Sequence, residues 1–177
     1  MLSLEQQQLG MLAMLRGRPT EVPSDPWLRS VAGSDGLKML HHIAGWWQRF
    51  QIEAQCRYTS RLMKRLGWFV QYVDEYFNIH PTPPSIEELS LKFLSSVKDD
   101  DDPLLSSVAH FELVCLQLND KSQSAHTVIW DRDPIQVLLA LENSEILPGP
   151  DPNARFVMTL STDIPGSVSC FREELAA

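Results

Sequence analysis

Three cysteines and five histidines hold most of the metal-binding and nucleophilic potential of this chain, so their spacing is the first constraint on its chemistry. His41 and His42 are adjacent and project in different directions, while His80, His110 and His126 are isolated in sequence. Structural zinc needs close pairs such as C-x-x-C, and catalytic zinc usually an H-x-x-x-H or H-x-E pair. Neither C-x-x-C nor H-x-x-x-H is present, and the one H-x-E, His110-Phe111-Glu112, stands without them. Cys56, Cys115 and Cys170 are odd in number and widely spaced, which argues against a disulfide framework. Each is expected to be a small buried hydrophobe. No G-x-S-x-G, H-E-x-x-H or glycine-rich phosphate loop occurs, and 8 glycines leave little to build one. The expectation is a chain that is no enzyme by itself and holds no metal or cofactor of its own.

Charge gives the next constraint. Residues 1–98 carry 11 basic and 9 acidic side chains and residues 99–177 carry 4 and 14, within a formal net charge of −8. Nucleic-acid affinity rests mainly on neutralising phosphates and releasing counterions, which this balance opposes. No nucleic-acid partner is expected. The local exception is Arg57, Arg61, Lys64 and Arg65, which recur at helical spacing with Arg49 two turns earlier. Such a stripe is either a solvated helix face or a docking strip for an acidic peptide or the acidic rim of a partner protein.

The elements that would position these residues are helical through the first two-thirds of the chain. Ser3 with Gln6 forms a capping box ahead of a helix over residues 4–16, Pro19–Ser24 reads as a linker, and Asp25-Pro26 starts a short helix closed by Gly33. Leu40, Ile43, Trp47 and Phe50 keep the helical period toward Cys56, and that helix can continue, kinked or straight, to Leu66. Trp47 is expected in the core, with either Trp46 or Trp47 turned toward a partner, because adjacent helical residues point about 100° apart. Phe69, Val73 and Tyr76/Phe77 form a buried face between Gly67 and the breakers Pro81, Pro83 and Pro84. Ser85 with Glu88 caps the next helix, and Asp102-Pro103 starts another whose inward stripe is Leu104/Leu105, Val108, Phe111, Val114/Cys115 and Leu118. The aspartates Asp99–Asp102 read as a solvated loop.

The order of these parts resembles a known family. A helix ending RL-x-x-RLG at Arg61–Gly67, an aromatic helix ending EYF, the turn HP-x-P-P-S, a helix ending FL and a helix carrying AHFEL are together similar to the HvfC/BufC/MbnC-like proteins, whose customary label is a DNA-binding domain. The match covers roughly Arg57–Leu118, about a third of the chain, and is nearest to the branch that serves thiaglutamate biosynthesis. The resemblance implies an accessory subunit that forms a heterodimer with a multinuclear non-heme iron oxidative enzyme. It presents the leader of a ribosomally synthesised precursor peptide whose cysteine the enzyme modifies. The iron belongs to the partner. A DNA-binding transcriptional regulator is the rival reading, and only the stripe Arg57–Arg65 could serve as its recognition helix.

After Asn119 the pattern changes. Lys121–Ala125 reads as a polar loop and Thr127–Trp130 suits a strand. Ile135–Glu142 alternates as a strand would, yet Asp133-Pro134 is a helix start; helix is the reading taken. Leu147–Asn153 is a proline-rich loop, and Arg155–Leu160 and Ser167–Arg172 alternate as strands that pair across a turn at Asp163–Gly166. The expectation is an α+β protein, with a helical domain at 1–120 and a small peptide-recognition domain at 121–177. An exposed sheet edge can accept an extended peptide as an added strand. On that ground Val128, Trp130, Arg155, Phe156, Val157, Met158, Thr159, Leu160, Val168 and Phe171 are expected to bind peptide, and Arg57, Arg61, Lys64 and Arg65 to bind the partner. The N-terminus lacks the early positive charge of a signal peptide, and no apolar run approaches the roughly 20 residues a membrane span needs. A cytoplasmic protein without membrane contact is expected.

Overall fold

A computed structural model describes residues 3–15, 25–80, 82–83, 85–118, 125–163 and 168–175. The expected linker at 19–24, Pro81 and Pro84, most of the polar stretch 121–125 and the turn beyond Asp163 lie outside the described residues. The protein is α+β: α1 (Leu4–Leu15), α2 (Pro26–Ala32), α3 (Asp35–Gln55), α4 (Arg57–Leu66), α5 (Phe69–Ile79), α6 (Ile86–Val97) and α7 (Pro103–Leu118) precede β1 (His126–Trp130), α8 (Pro134–Asn143), β2 (Ala154–Leu160) and β3 (Val168–Glu174). No described helix is long and apolar enough to cross a membrane.

The helix starts follow local side-chain chemistry. Ser3 and Gln6 exchange both bonds of the capping box, at 3.0 and 3.2 Å. Asp25 accepts from the Trp27 and Leu28 amides with Pro26 at the first helical position. Ser85 accepts from the Glu88 amide at 3.1 Å, and Glu88 pairs with Lys92 one turn on. Asp133 accepts from the amides of Ile135 and Gln136, at 2.9 and 3.3 Å, behind Pro134. This cap settles the ambiguous Ile135–Glu142 segment as helix α8.

The chain divides into two compact units, residues 1–50 and 51–177. In the first, Met14, Leu28 and Leu37 form a small core with Met11 and Val31 against it, and the His41 ring meets the Met14 carbonyl at 2.7 Å. In the second, one core runs from Leu62, Phe93, Leu105 and Val108 on the helices to Val128, Trp130, Met158 and Leu160 on the sheet. A division at residue 120 is therefore not where the cores divide. The sheet has the order β1-β2-β3, antiparallel throughout.

The long helix breaks at Cys56, whose φ and ψ are −108° and 64°. The amides exposed by that break are capped from more than fifty residues away in sequence. Glu112 of α7 accepts from the amides of Tyr58 at 2.7 Å and Thr59 at 2.8 Å, satisfying orphan donors at the start of α4. A carboxylate there also favours the positive end of the helix dipole. Burial pushes the Glu112 pKa above the usual carboxylate range, and the Thr59 and Tyr58 amides work against that shift. At the other end of α4, Gly67 sits at φ 77°, a left-handed cap conformation that glycine adopts without strain.

Candidate functional site

The sheet's hydrogen-bond parity decides where an extended chain could add. In an antiparallel pair, residues alternate between those bonded to the neighbour and those whose N–H and C=O face away from it. The Leu175 amide donates to the Asn153 carbonyl at 2.8 Å, and the β2–β3 register continues without a bulge through Arg155↔Glu173, Val157↔Phe171 and Thr159↔Ser169. These pairs are therefore the hydrogen-bonded ones. The backbone groups of Val168, Cys170, Arg172 and Glu174 face the free edge, and none has a partner among the described residues. By the same parity, Thr127 and Ile129 face outward from β1. The Ser107 hydroxyl of α7 donates to the Ile129 carbonyl at 2.9 Å, which agrees with that assignment and takes one outward group of the β1 edge.

Side-chain alternation sorts the expected peptide-binding residues into two groups. Val128, Trp130, Met158 and Leu160 are buried in the core, and Phe156 packs half-buried against it. These five are structural and cannot meet a peptide on the open face. The reason is the helical layer: α7 lies against β1, with the Phe111 and Trp130 rings 6.2 Å apart edge to face. Arg155, Val157, Thr159, Val168 and Phe171 stay at least partly accessible. Every residue of β3 is exposed on both faces.

Three rows of paired side chains cross the open face. Ile129, Val157 and Phe171 lie side by side in register, with Ile129 55% and Phe171 54% exposed. Thr127, Thr159 and Ser169 form a hydroxyl row on one flank. On the other, Arg155 Nε donates to Glu173 Oε2 at 2.7 Å, and this bond draws the Glu173 pKa down and the Arg155 pKa up.

The basic stripe is paired within the chain. Arg57 and Arg61 both pair with Glu142, and Arg61 also donates to the carbonyls of Leu141 at 3.3 Å and Glu142 at 3.4 Å. Arg65 donates to the carbonyls of Ala140 at 2.6 Å and Glu145 at 2.5 Å, while Lys64 pairs with Glu53. Arg61 and Arg65 thus bond carbonyls at the C-terminal end of α8, where cations favour the negative dipole end, while Arg57 reaches only the Glu142 carboxylate. All four cations of the stripe are engaged within the chain, with Arg57 and Lys64 still about half exposed.

Two further expectations are corrected. Cys56 is buried, Cys115 half-buried and Cys170, on the exposed strand β3, exposed. Burial pushes all three thiols up, Cys115 to about 11, so none is an activated thiolate. Trp47 is 49% and Trp46 55% exposed; with Phe50 they form a stacked cluster that continues the exposed row Met39, Leu40 and Ile43 along α3. Among the described residues, no group of three or more histidine, cysteine, aspartate or glutamate side chains could hold a metal ion. Sequence reasoning missed Glu112 and Ser107, since neither stands out until α7 meets α4 and β1. Fold and site together define a helical protein with an appended antiparallel sheet that has one open edge. No protein-family model, curated protein or solved structure matches the chain.

Proposed function

We propose that the chain is a non-catalytic adaptor that takes up the leader of a ribosomally synthesised precursor peptide as a fourth strand beside β3. As a heterodimer with a multinuclear non-heme iron oxidative enzyme, it presents the precursor cysteine that the enzyme modifies. The observation that carries the reading is the β3 edge, where four alternate residues offer backbone groups that have no partner among the described residues. Main-chain pairing there gives affinity, and the side chains of both exposed faces give selectivity. Holding the leader raises the effective concentration of the cysteine at the enzyme. The exposed apolar row on α3 supports the protein–protein half of the reading, since contiguous patches of this kind mark interaction surfaces.

The test titrates, by fluorescence anisotropy, a labelled leader taken from a precursor peptide that co-purifies with the chain from its host. Cys170→Pro removes one outward N–H while leaving the β2–β3 ladder intact, so the leader should bind at least about tenfold more weakly at unchanged fold. Equal binding by Cys170→Pro and the wild type sinks the edge reading. Tight, salt-dependent retention of duplex DNA in place of the leader would favour a regulator.

A further inference from the structure

Resting on that assignment of β3, we infer the side-chain pattern of the segment that docks: an antiparallel strand reading, from its N-terminus, basic-x-apolar-x-Ser/Thr on the open face. Each of the three cross-strand rows ends at the free edge, and each sets the chemistry of its next member. The row Ile129–Val157–Phe171 presents Phe171 half exposed at its end. Phe171 bonds inward to Val157, so on its free side it occupies a non-hydrogen-bonded position. There, opposing Cα atoms come within about 4.5 Å and side chains are closest. An aromatic or β-branched residue placed opposite covers the ring; a charged residue there would be desolvated without a partner.

The flanking rows fix direction. Glu173 already receives Arg155 on its β2 side, and the carboxylate has lone pairs for a second cation, so a lysine or arginine extends the row with alternating sign. Ser169 ends the hydroxyl row, where serine or threonine continues hydroxyl pairing. Since β3 runs from Ser169 through Phe171 to Glu173, an antiparallel partner meets Glu173 first and Ser169 last. On the opposite face, the intervening residues lie beside Cys170 and Arg172. Arg172 is engaged by Asp151 at 3.0 Å and Glu174 at 3.2 Å, so that face sets no apolar requirement.

The probe is a displayed library of random peptides selected on the full chain, with binding of the enriched peptides checked against Cys170→Pro. Edge-dependent peptides should converge on the basic-x-apolar-x-hydroxyl order. Glu173→Lys should then change the selected first position from basic to acidic, and Phe171→Asp the central one from apolar to basic. Phe171→Thr, which keeps a strand-forming residue, should weaken the original peptides about tenfold with the fold intact by circular dichroism. Peptides that need the β3 edge but show no such order, show the reverse order, or ignore both charge swaps overturn this inference and leave strand addition standing. If no enriched peptide is sensitive to Cys170→Pro, strand addition at β3 fails and the pattern with it.

Discussion

The two edges of the sheet have the same kind of backbone and opposite fates. β1 is a five-residue strand whose alternate side chains are buried and whose Ile129 carbonyl is taken by Ser107 of α7. β3 is a seven-residue strand exposed on both faces, with outward groups at Val168, Cys170, Arg172 and Glu174. Exposed edges promote unwanted pairing, and proteins cover them with helices or loops unless the edge has a use. Here α7 lies against one edge and takes a carbonyl of it, while the longer edge has no partner among the described residues. That contrast is why β3, rather than the sheet as a whole, is the candidate site.

The sharpest way to test the parity is by proline. Val157 sits in the central strand with its N–H committed to Phe171, so Val157→Pro should break the ladder and cost about 3 kcal/mol or more, read as a collapsed thermal melt. Ser169→Pro lies in a bonded pair as well and should be clearly destabilising. Cys170→Pro, one residue on, should keep most of the melting temperature. Similar losses for Cys170→Pro and Ser169→Pro would mean the outward assignment is inverted.

Covering β1 depends on α7 staying where Glu112 ties it to α4. Glu112→Ala strands the Tyr58 and Thr59 amides and should cost about 2 kcal/mol by chemical denaturation. Glu112→Gln keeps an acceptor but removes the ionisation. Because the folded-state pKa is raised, the wild type is favoured relative to Glu112→Gln below the ordinary glutamate pKa of about 4.3. It should lose ground as pH rises through the raised value. Melting both proteins between about pH 4 and 8 checks the sign; a gap that moves the other way would mean that the amide bonds outweigh burial.

The smallest effect is expected at the covered edge itself. Ser107→Ala removes the donor to Ile129 and should cost about 1 kcal/mol. Since α7 still lies over β1, it should create no second peptide site. A rise in bound peptide per chain would show that the hydroxyl, not the helix, closes that edge.

Much of the helical half was legible in the sequence because helix starts are local. Asp25-Pro26, Ser85, Asp102-Pro103 and Asp133-Pro134 each act on amides two or three residues away, so residue order alone predicts them. The strands were legible for a similar reason, since alternation with β-branched and aromatic residues is a short-range pattern. The site was only half legible. Alternation separates Val128, Trp130, Met158 and Leu160 from Val157 and Phe171, but it does not say which set the helices cover. The basic stripe was visible as charge, whereas its targets on α8 lie some eighty residues on.

The sequence by itself determined the α+β class, the caps and the period of each element, because these depend on neighbours within one turn or one pleat. Only the tertiary structure decided that Glu112 caps α4 after the break at Cys56, that three arginines meet α8, and that β1 lies against α7 while the β3 edge has no partner among the described residues. Those outcomes rest on pairs far apart in sequence. Their partners are chosen by which apolar faces pack first, and the polar groups brought together by that packing must then satisfy one another.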